Sequence, residues 1–207
     1  MANIVETVAG ILLALPDNIS RHERSIPEQS LLHAWFNAKQ TGAPVSMDRL
    51  STTLGRIGWN LTDIGTTQAE VPLECGGVAL PWLGLSSRGN AALANILGAN
   101  ASLACPLVSA WRREGTAASS REMFIAELRG TSWLTICAFK LDWPDHCAIL
   151  SGRVDKIGIS ATTESYSLDR VRFDSVAAEV LAKVSHRLDR IVRAPAVRAP
   201  GKVMEIN

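Results

Sequence analysis

The chain has 207 residues, of which 47% are hydrophobic and 20% are charged, and its formal net charge is +1. Enough apolar residues are present to form a core, so the composition excludes a generally disordered protein. The balanced charge gives no global argument for nucleic-acid binding, and no apolar run approaches the roughly 18 residues needed to cross a bilayer.

The N-terminal segment MANIVETVAGILLALPD is a poor signal peptide, because no Lys or Arg precedes its apolar run and Glu6 lies inside that run. We therefore expect a cytoplasmic protein, with secretion by a signal-independent route left open. The cysteines form no CxxC pair, which favours buried free thiols over disulfides or a metal site. They are Cys75, Cys105, Cys137 and Cys147.

Apolar residues recur at helical spacing at the start of the chain and predict an amphipathic helix over 2–15 that stops at Pro16. The apolar stripe consists of Ile4, Val8, Ile11, Leu12 and Leu15. Because it carries few charges, this helix is a candidate interaction element. It could swap onto a neighbouring subunit, lie in a membrane interface or pack on its own domain.

Two further helices are predicted before residue 59. Ser25 and Glu28 have the form of a capping box, which indicates a helix start. A third helix is expected from about Ser46 to Gly58, with the glycine as a left-handed cap. The pattern then predicts short extended pieces and loops over 59–83. Two short helices are predicted to follow, at 90–97 and 102–113.

The apolar period changes from helical to two after residues 113–120. The segment WLTICAFKLD, Trp133–Asp142, is apolar on both alternating faces and predicts a central strand that is covered on both sides. Alternation before and after it, with short connections, predicts an antiparallel meander of four to five strands. Asp174 is expected to cap a long helix whose stripe is Val176, Val180, Val184, Leu188 and Ile191.

We therefore predict an α+β fold in which a helical N-terminal half packs on a C-terminal antiparallel β-meander closed by a long C-terminal helix. The central strand needs two covers, the closing helix on one side and the N-terminal helices on the other, so a single domain over 1–192 is favoured over two. The helical layer is placed at about 2–113, the sheet and its helix at about 121–192, and a flexible Pro/Ala/basic tail at 193–207.

Asp145, His146 and Cys147 are adjacent, and a catalytic interpretation makes Cys147 a nucleophile with His146 as its base. Neighbouring strand residues point to opposite faces, however, which argues against such a pair and favours a core cysteine beside a polar residue at the strand entry. The remaining His and Cys residues are scattered, so no metal and no cofactor is expected.

Ser86, Ser87 and Arg88 precede the helix predicted at 90–97, and with its free N-terminal amides they could hold a phosphate or carboxylate. The segment is neither a P-loop nor a dinucleotide fingerprint. Ordinary N-capping explains the two serines equally well.

The segment 170–202 contains eight basic and three acidic residues. This pattern fits contact with an anionic membrane surface or an acidic partner, and it also fits a solvated helix face followed by a soluble tail. Together with the first helix, it gives a candidate interaction surface. The surface comprises Ile4, Val8, Ile11, Arg187, Arg190, Arg193 and Arg198.

These features favour a non-enzymatic protein-binding or self-assembly protein that uses the N-terminal amphipathic helix and the basic C-terminal segment, with a homo-oligomer or another protein as the partner. One alternative is a membrane-active toxin or effector subunit that binds an anionic membrane surface with the same two elements. A further alternative is an enzyme with a non-local active site, marked by a deep pocket that holds groups of perturbed pKa. Nucleic acid is not expected as a partner.

Overall fold

A seven-stranded mixed sheet with three α-helices forms the fold of this computed structural model, which describes residues 4–40, 42, 44–72, 122–142 and 156–193. The strands are β1 (Ile4–Val8), β2 (Ile11–Leu15), β3 (Trp59–Pro72), β4 (Glu122–Arg129), β5 (Trp133–Asp142), β6 (Lys156–Leu168) and β7 (Ile191–Arg193). The helices are α1 (Arg21–Lys39), α2 (Met47–Arg56) and α3 (Arg170–Val184), and a 3₁₀ helix (Ser185–Arg190) links α3 to β7.

The strand order across the sheet is β3-β6-β5-β4-β2-β1-β7. Neighbouring strands are antiparallel except β2 and β4, which run parallel, with Ile11 opposite Phe124. The prediction of a C-terminal antiparallel meander is therefore wrong. The sheet is mixed, and the N-terminal half supplies three of its strands, β1, β2 and β3, because the first hairpin joins the edge of the β4–β5–β6 unit.

The predicted N-terminal helix is instead the β1–β2 hairpin. Val8 pairs with Ile11, which leaves Ala9 and Gly10 as a two-residue turn, and Ala9 has a left-handed φ of 50°. Every residue of β2 is buried. A strand covered on both faces is a continuous apolar run, and in a short segment such a run also satisfies helical spacing. The helical prediction failed for that reason.

Helix α1 begins one turn before the predicted capping box. Ser20 is the N-cap: its Oγ accepts from the Glu23 amide at 3.2 Å, and the Ser20 amide donates to Glu23 Oε2 at 3.1 Å. Glu28, expected in that role, lies in the second turn and binds arginines instead. The third predicted helix is confirmed as α2, with Ser46 as its N-cap residue, and Gly58 beyond its end has a φ of +98°.

Two further expectations are corrected. The stretch after Gly58 is not a series of short pieces, since β3 is one strand of 14 residues. The last helix is capped by Asp169, which accepts from the Arg172 amide at 3.0 Å, and Ile191 belongs to β7 rather than to the helical stripe. The predicted helices at 90–97 and 102–113 and the tail beyond Arg193 lie outside the described residues, and the single domain stays a prediction.

The interior position of β5 is confirmed, with the bounds read from the sequence. Both of its faces are buried: Leu134 and Ile136 on one side, and Cys137 and Phe139 on the other, are each 0% exposed. For the described helices the expected covers are wrong, because α1, α2 and α3 share one core with the Leu134 face. The opening and closing helices thus pack on the same side of the sheet.

Trp35 lies at the centre of this core. Its ring meets Phe124 edge to face, with centroids 5.8 Å apart, and it packs over the β1–β2 turn. In the described part of the chain, no helix is both long and apolar enough to span a membrane.

Candidate functional site

Most of the chemically reactive residues chosen from the sequence lie outside the described residues. These are Ser86, Ser87, Arg88, His146, Cys147 and Arg198. The nucleophilic and anion-binding interpretations therefore stay predictions. Within the described ranges, no group of three or more His, Cys, Asp or Glu side chains converges in a way that could hold a metal ion.

The remaining residues of the predicted interaction surface do not form one exposed surface. Val8 and Ile11 are fully buried in the hairpin that begins at Ile4. The Arg187 guanidinium lies over the Phe36 ring, 4.0 Å from its centroid, and Arg190 is 3.8 Å from the Asp189 carboxylate. Arg193 turns to the helix-bearing side of the sheet, where it meets buried carboxylates.

Four charged side chains meet there, and we call them the carboxylate–arginine cluster: Glu6, Arg24, Glu28 and Arg193. Glu6 lies on β1 opposite Arg193 of β7, while Arg24 and Glu28 lie one turn apart on α1. Arg24 Nε donates to Glu28 Oε1 at 2.9 Å, and Arg24 Nη2 donates to Glu6. Arg193 Nη2 donates to both oxygens of Glu28 at 3.0 Å, and its Nε is 3.6 Å from Glu6 Oε2. The cluster therefore ties β1, α1 and β7 together.

Glu6 is the electrostatically unusual member of this cluster. Burial, followed by the charge of Glu28, raises the pKa of Glu6 to about 8, and the lowering effect of Arg24 is smaller. Glu6 Oε1 has no partner as an acceptor among the described residues. A proton on that oxygen makes it a donor, and hydrogen bonding with Glu28 is one of the causes that raise the pKa. The two carboxyl groups thus favour a state in which Glu6 is neutral.

Burial limits what the cluster can do chemically. Glu6 is 0% exposed and Glu28 is 4% exposed, so neither carboxyl group meets solvent where a substrate could approach. The solvent-facing member is Arg193, whose side chain is 56% exposed. The arrangement is suited to holding β7 on the sheet, and it lacks the open position that an acid–base site needs.

Two further polar contacts are buried, one between β3 and α1 and the other within β6. Trp59 Nε1 donates to Ser30 Oγ at 2.9 Å, and the Tyr166 hydroxyl donates to Glu164. Burial raises the pKa of Tyr166, with the contact to Glu164 as the next cause. Tyr166 is 0% exposed and Glu164 is 5% exposed. These groups satisfy one another inside the fold.

A cleft of about 270 Å³ lies between α1 and α3. At its rim, Arg170 Nη2 is 2.9 Å from His22 Nε2, and Arg170 Nε also donates to Asp174 at 2.9 Å. Its floor is apolar, with Ile26 and Phe173. The carboxyl, thiol and phenol groups whose pKa is raised do not line this cleft. It is therefore not the pocket that an enzyme interpretation requires.

The most exposed part of the described sheet is its β3 margin. Strand β3 pairs with β6 on one side and is the last strand in the order of the described sheet. Its residues 60–66 and 68 are exposed. A bulge between Leu61 and Asp63 brings Leu61 and Ile64 to the same helix-bearing face, where they are 43% and 56% exposed. We call residues 60–68 the β3 edge.

Comparison of the chain with known protein families, with curated proteins and with solved structures found no match in any of the three. The functional evidence is therefore the carboxylate–arginine cluster, the α1–α3 cleft and the β3 edge.

Sequence reasoning missed both the cluster and the β3 edge. For the cluster, the signal was Glu6, a lone acid within an apolar run, since such a residue needs a buried partner if the run is buried. For the β3 edge, it was the stretch NLTDIGTTQ after Gly58, which is rich in β-branched residues. Neither signal names a partner, because both partners come from distant parts of the chain.

Proposed function

We propose that this protein is a non-enzymatic self-assembly protein that associates with a second copy of itself by pairing the two β3 edges. The observation that carries this proposal is the exposure of the β3 edge together with its apolar residues Leu61 and Ile64. An edge strand offers a row of backbone donors and acceptors, which is a template for another strand.

The composition of the β3 edge supports strand addition. Natural sheets commonly protect an exposed edge with Lys or Pro, and residues 60–68 contain neither of these and no Arg. Asp63 is the single charged residue in this stretch. The thirteen pairs between β3 and β6 hold the strand extended along its length. A partner strand would therefore meet a pre-formed, nearly neutral edge.

The order of residues suits antiparallel pairing of β3 with its own copy. If Ile64 faces Ile64, then Asp63 faces Gly65. The carboxylate is thus not opposed by its copy, which matters because like charges directly opposite each other destabilise a strand pair. The two isoleucines would bury exposed apolar surface at the two-fold axis.

The two alternatives raised by the sequence have less support. A membrane-active protein was inferred chiefly from an N-terminal amphipathic helix, and that segment is the buried β1–β2 hairpin. The enzyme interpretation requires a pocket lined by groups whose pKa values are perturbed. The carboxyl group with the raised pKa, Glu6, is fully buried and lies away from the α1–α3 cleft.

Sedimentation velocity over a range of concentrations tests the proposal. We expect a concentration-dependent dimer that Ile64→Lys weakens by about tenfold or more, because two ammonium groups then face each other at the axis. Leu188→Lys is the matched control, since Leu188 is 43% exposed in the 3₁₀ helix that leads to β7, at the opposite margin of the described sheet. It should leave the dimer unchanged.

Hydrogen exchange gives an independent readout of the same contact. Amides of 60–68 should exchange more slowly at high protein concentration than at low concentration, and this difference should vanish in Ile64→Lys. A strict monomer, or a dimer that Ile64→Lys and Leu188→Lys affect equally, would contradict self-association through β3.

A further inference from the structure

Trp133 is exposed on the sheet face opposite the helices. It begins β5 and is 51% exposed, whereas Cys137 and Phe139, further along the same face, are 0% exposed. A large aromatic ring in solvent on a sheet face loses the burial that usually accounts for tryptophan in a fold. The neighbours of this ring therefore decide what it could contact.

The strand register surrounds Trp133 with polar side chains. Arg129 of β4 and Ser167 of β6 are its direct cross-strand partners, and Asn60 of β3 follows in the same row. Directly opposite positions in antiparallel strands are about 5 Å apart, so this row spans three strand spacings. Arg129 and Asn60 are exposed, and Ser167 is partly exposed.

The next row of the same face repeats this polar character. Its residues are Glu127, Thr135, Ser165 and Asp63. Thr135 Oγ1 lies 3.4 Å from Ser165 Oγ, and Arg129 Nε is 3.4 Å from Glu127 Oε2. We call these two rows the Trp133 face. Glu127 and Thr135 are buried, at 1% and 4% exposed. The face therefore presents the Trp133 indole among the exposed polar groups of Asn60, Asp63 and Arg129 and the partly exposed hydroxyls of Ser165 and Ser167.

We propose that the Trp133 face binds carbohydrate, with a sugar ring stacked on the Trp133 indole. A pyranose has an apolar face of C–H groups that can lie against an aromatic ring, while its ring of hydroxyls needs paired donors and acceptors at the sides. Asn60 and Asp63 supply planar groups that can bond two neighbouring hydroxyls, and Ser167 supplies a single hydroxyl.

The charge of the Trp133 face favours a neutral sugar over a nucleic acid as its ligand. The exposed charges of the Trp133 face are the Asp63 carboxylate and the Arg129 guanidinium, since Glu127 is 1% exposed, so a phosphate backbone would meet no net positive charge there. Stacking alone would accept a base as well as a sugar. The balanced charge of the exposed groups therefore favours an uncharged, hydroxyl-rich ligand.

Native gel electrophoresis through gels that contain starch, β-glucan, xylan or galactomannan tests this site. The wild-type protein should be retarded in at least one gel, and Trp133→Ala should weaken that binding by about tenfold or more. Val171→Ala removes an apolar side chain that is 83% exposed on α3 and should bind like the wild type. Asp63→Ala should weaken binding without affecting the spectrum of the folded protein.

Retardation in none of the four gels would overturn the proposal, as would retardation that Trp133→Ala leaves unchanged. Binding of poly(U) RNA that Trp133→Ala abolishes would also overturn it, because the face would then accept a polyanion. The site does not depend on self-association, so a monomeric Ile64→Lys variant that still binds the polysaccharide separates the two proposals.

Discussion

Trp35 lies directly over Gly10, so the turn of the β1–β2 hairpin contacts the middle of α1. A β-carbon added to Gly10 would overlap the six-membered ring of the Trp35 indole. The ring cannot move aside easily, because Trp35 is 1% exposed and packs edge to face on Phe124. Glycine at position 10 is thus required by tertiary packing and not by a left-handed φ.

Gly10→Ala should destabilise the fold by about 2–3 kcal/mol, since an overpacked core forces rings and backbone away from their preferred positions. Urea unfolding followed by circular dichroism measures this change. Gly55→Ala is the control, because a β-carbon at Gly55 in α2 meets nothing within 4 Å. The free energy of unfolding of that variant should rise by about 0.5–1 kcal/mol, because alanine has a higher helix propensity than glycine. Equal effects of the two substitutions would disprove the contact with Trp35.

A similar comparison tests the approach of α3 to the end of α2. Gly58 has a φ of +98°, and a β-carbon there would lie 2.9 Å from the backbone oxygen of Asp169 and from the Phe173 nitrogen. Gly130 has a φ of +62° with nothing near it. Gly130→Ala should therefore lower the free energy of unfolding by about 1–2 kcal/mol, from backbone strain alone. Gly58→Ala should lower it by about 1–2 kcal/mol more, because the added β-carbon also meets the α3 backbone. Thermal unfolding of both variants checks this order.

Glu6 makes stability depend on pH. Its pKa in the folded state, about 8, is above the reference value of 4.5, so the folded protein binds this proton more tightly than the unfolded chain does. The resulting stability is fully present below 4.5 and is lost as the pH rises through 8. Relative to wild type, Glu6→Gln should therefore become more stable with rising pH, by at most roughly 1.4 kcal/mol per pH unit in that window.

Chemical denaturation at about pH 5 and about pH 8 measures this difference. Glu179→Gln serves as a control, because Lys183 lowers the pKa of the exposed Glu179 carboxylate from 4.5. Glu179 is therefore ionised in both states across this pH range, and the difference between Glu179→Gln and wild type should stay constant. A difference between Glu6→Gln and wild type that stays constant across this pH range would show that Glu6 is charged in the folded protein.

Cys137 should be chemically inert in the folded state. Its side chain is buried on the sheet face opposite the helices, and burial raises the pKa of its thiol to about 11. At about pH 8, only about one thiol in a thousand would be ionised. Mass spectrometry after iodoacetamide treatment should find Cys137 unmodified in native protein and alkylated in urea. Rapid labelling of the native protein would indicate local opening of β5.

Where the sequence predicted well, the pattern had one structural solution. Trp133–Asp142 has ten residues of two-sided apolar alternation bounded by turn residues, and it forms β5 with those bounds. Ser46 and Gly58 frame α2 in the same way. Ile11–Leu15 is too short to separate a helix from a doubly covered strand, so only its pairing with β1 and β4 decides.

The candidate sites were less accessible to sequence reasoning. Glu6 and Arg193 are at opposite ends of the chain and meet because β7 pairs with β1. Trp133, Asn60 and Arg129 come from three strands, and their shared face depends on the register of each pair and on the bulge in β3. Periodicity within one segment carries no information about which other segment lies beside it.

By itself, the sequence determined local choices: the centre of the sheet at β5, the caps of α2, and a buried strand or helix wherever apolar residues were continuous. The tertiary structure decided strand order, the common side of all three helices, and which polar groups are buried together or exposed. The reason is physical. Local propensities and apolar periods act over a few residues, whereas burial, charge pairing and strand register depend on contacts between distant segments that form only when the chain has folded.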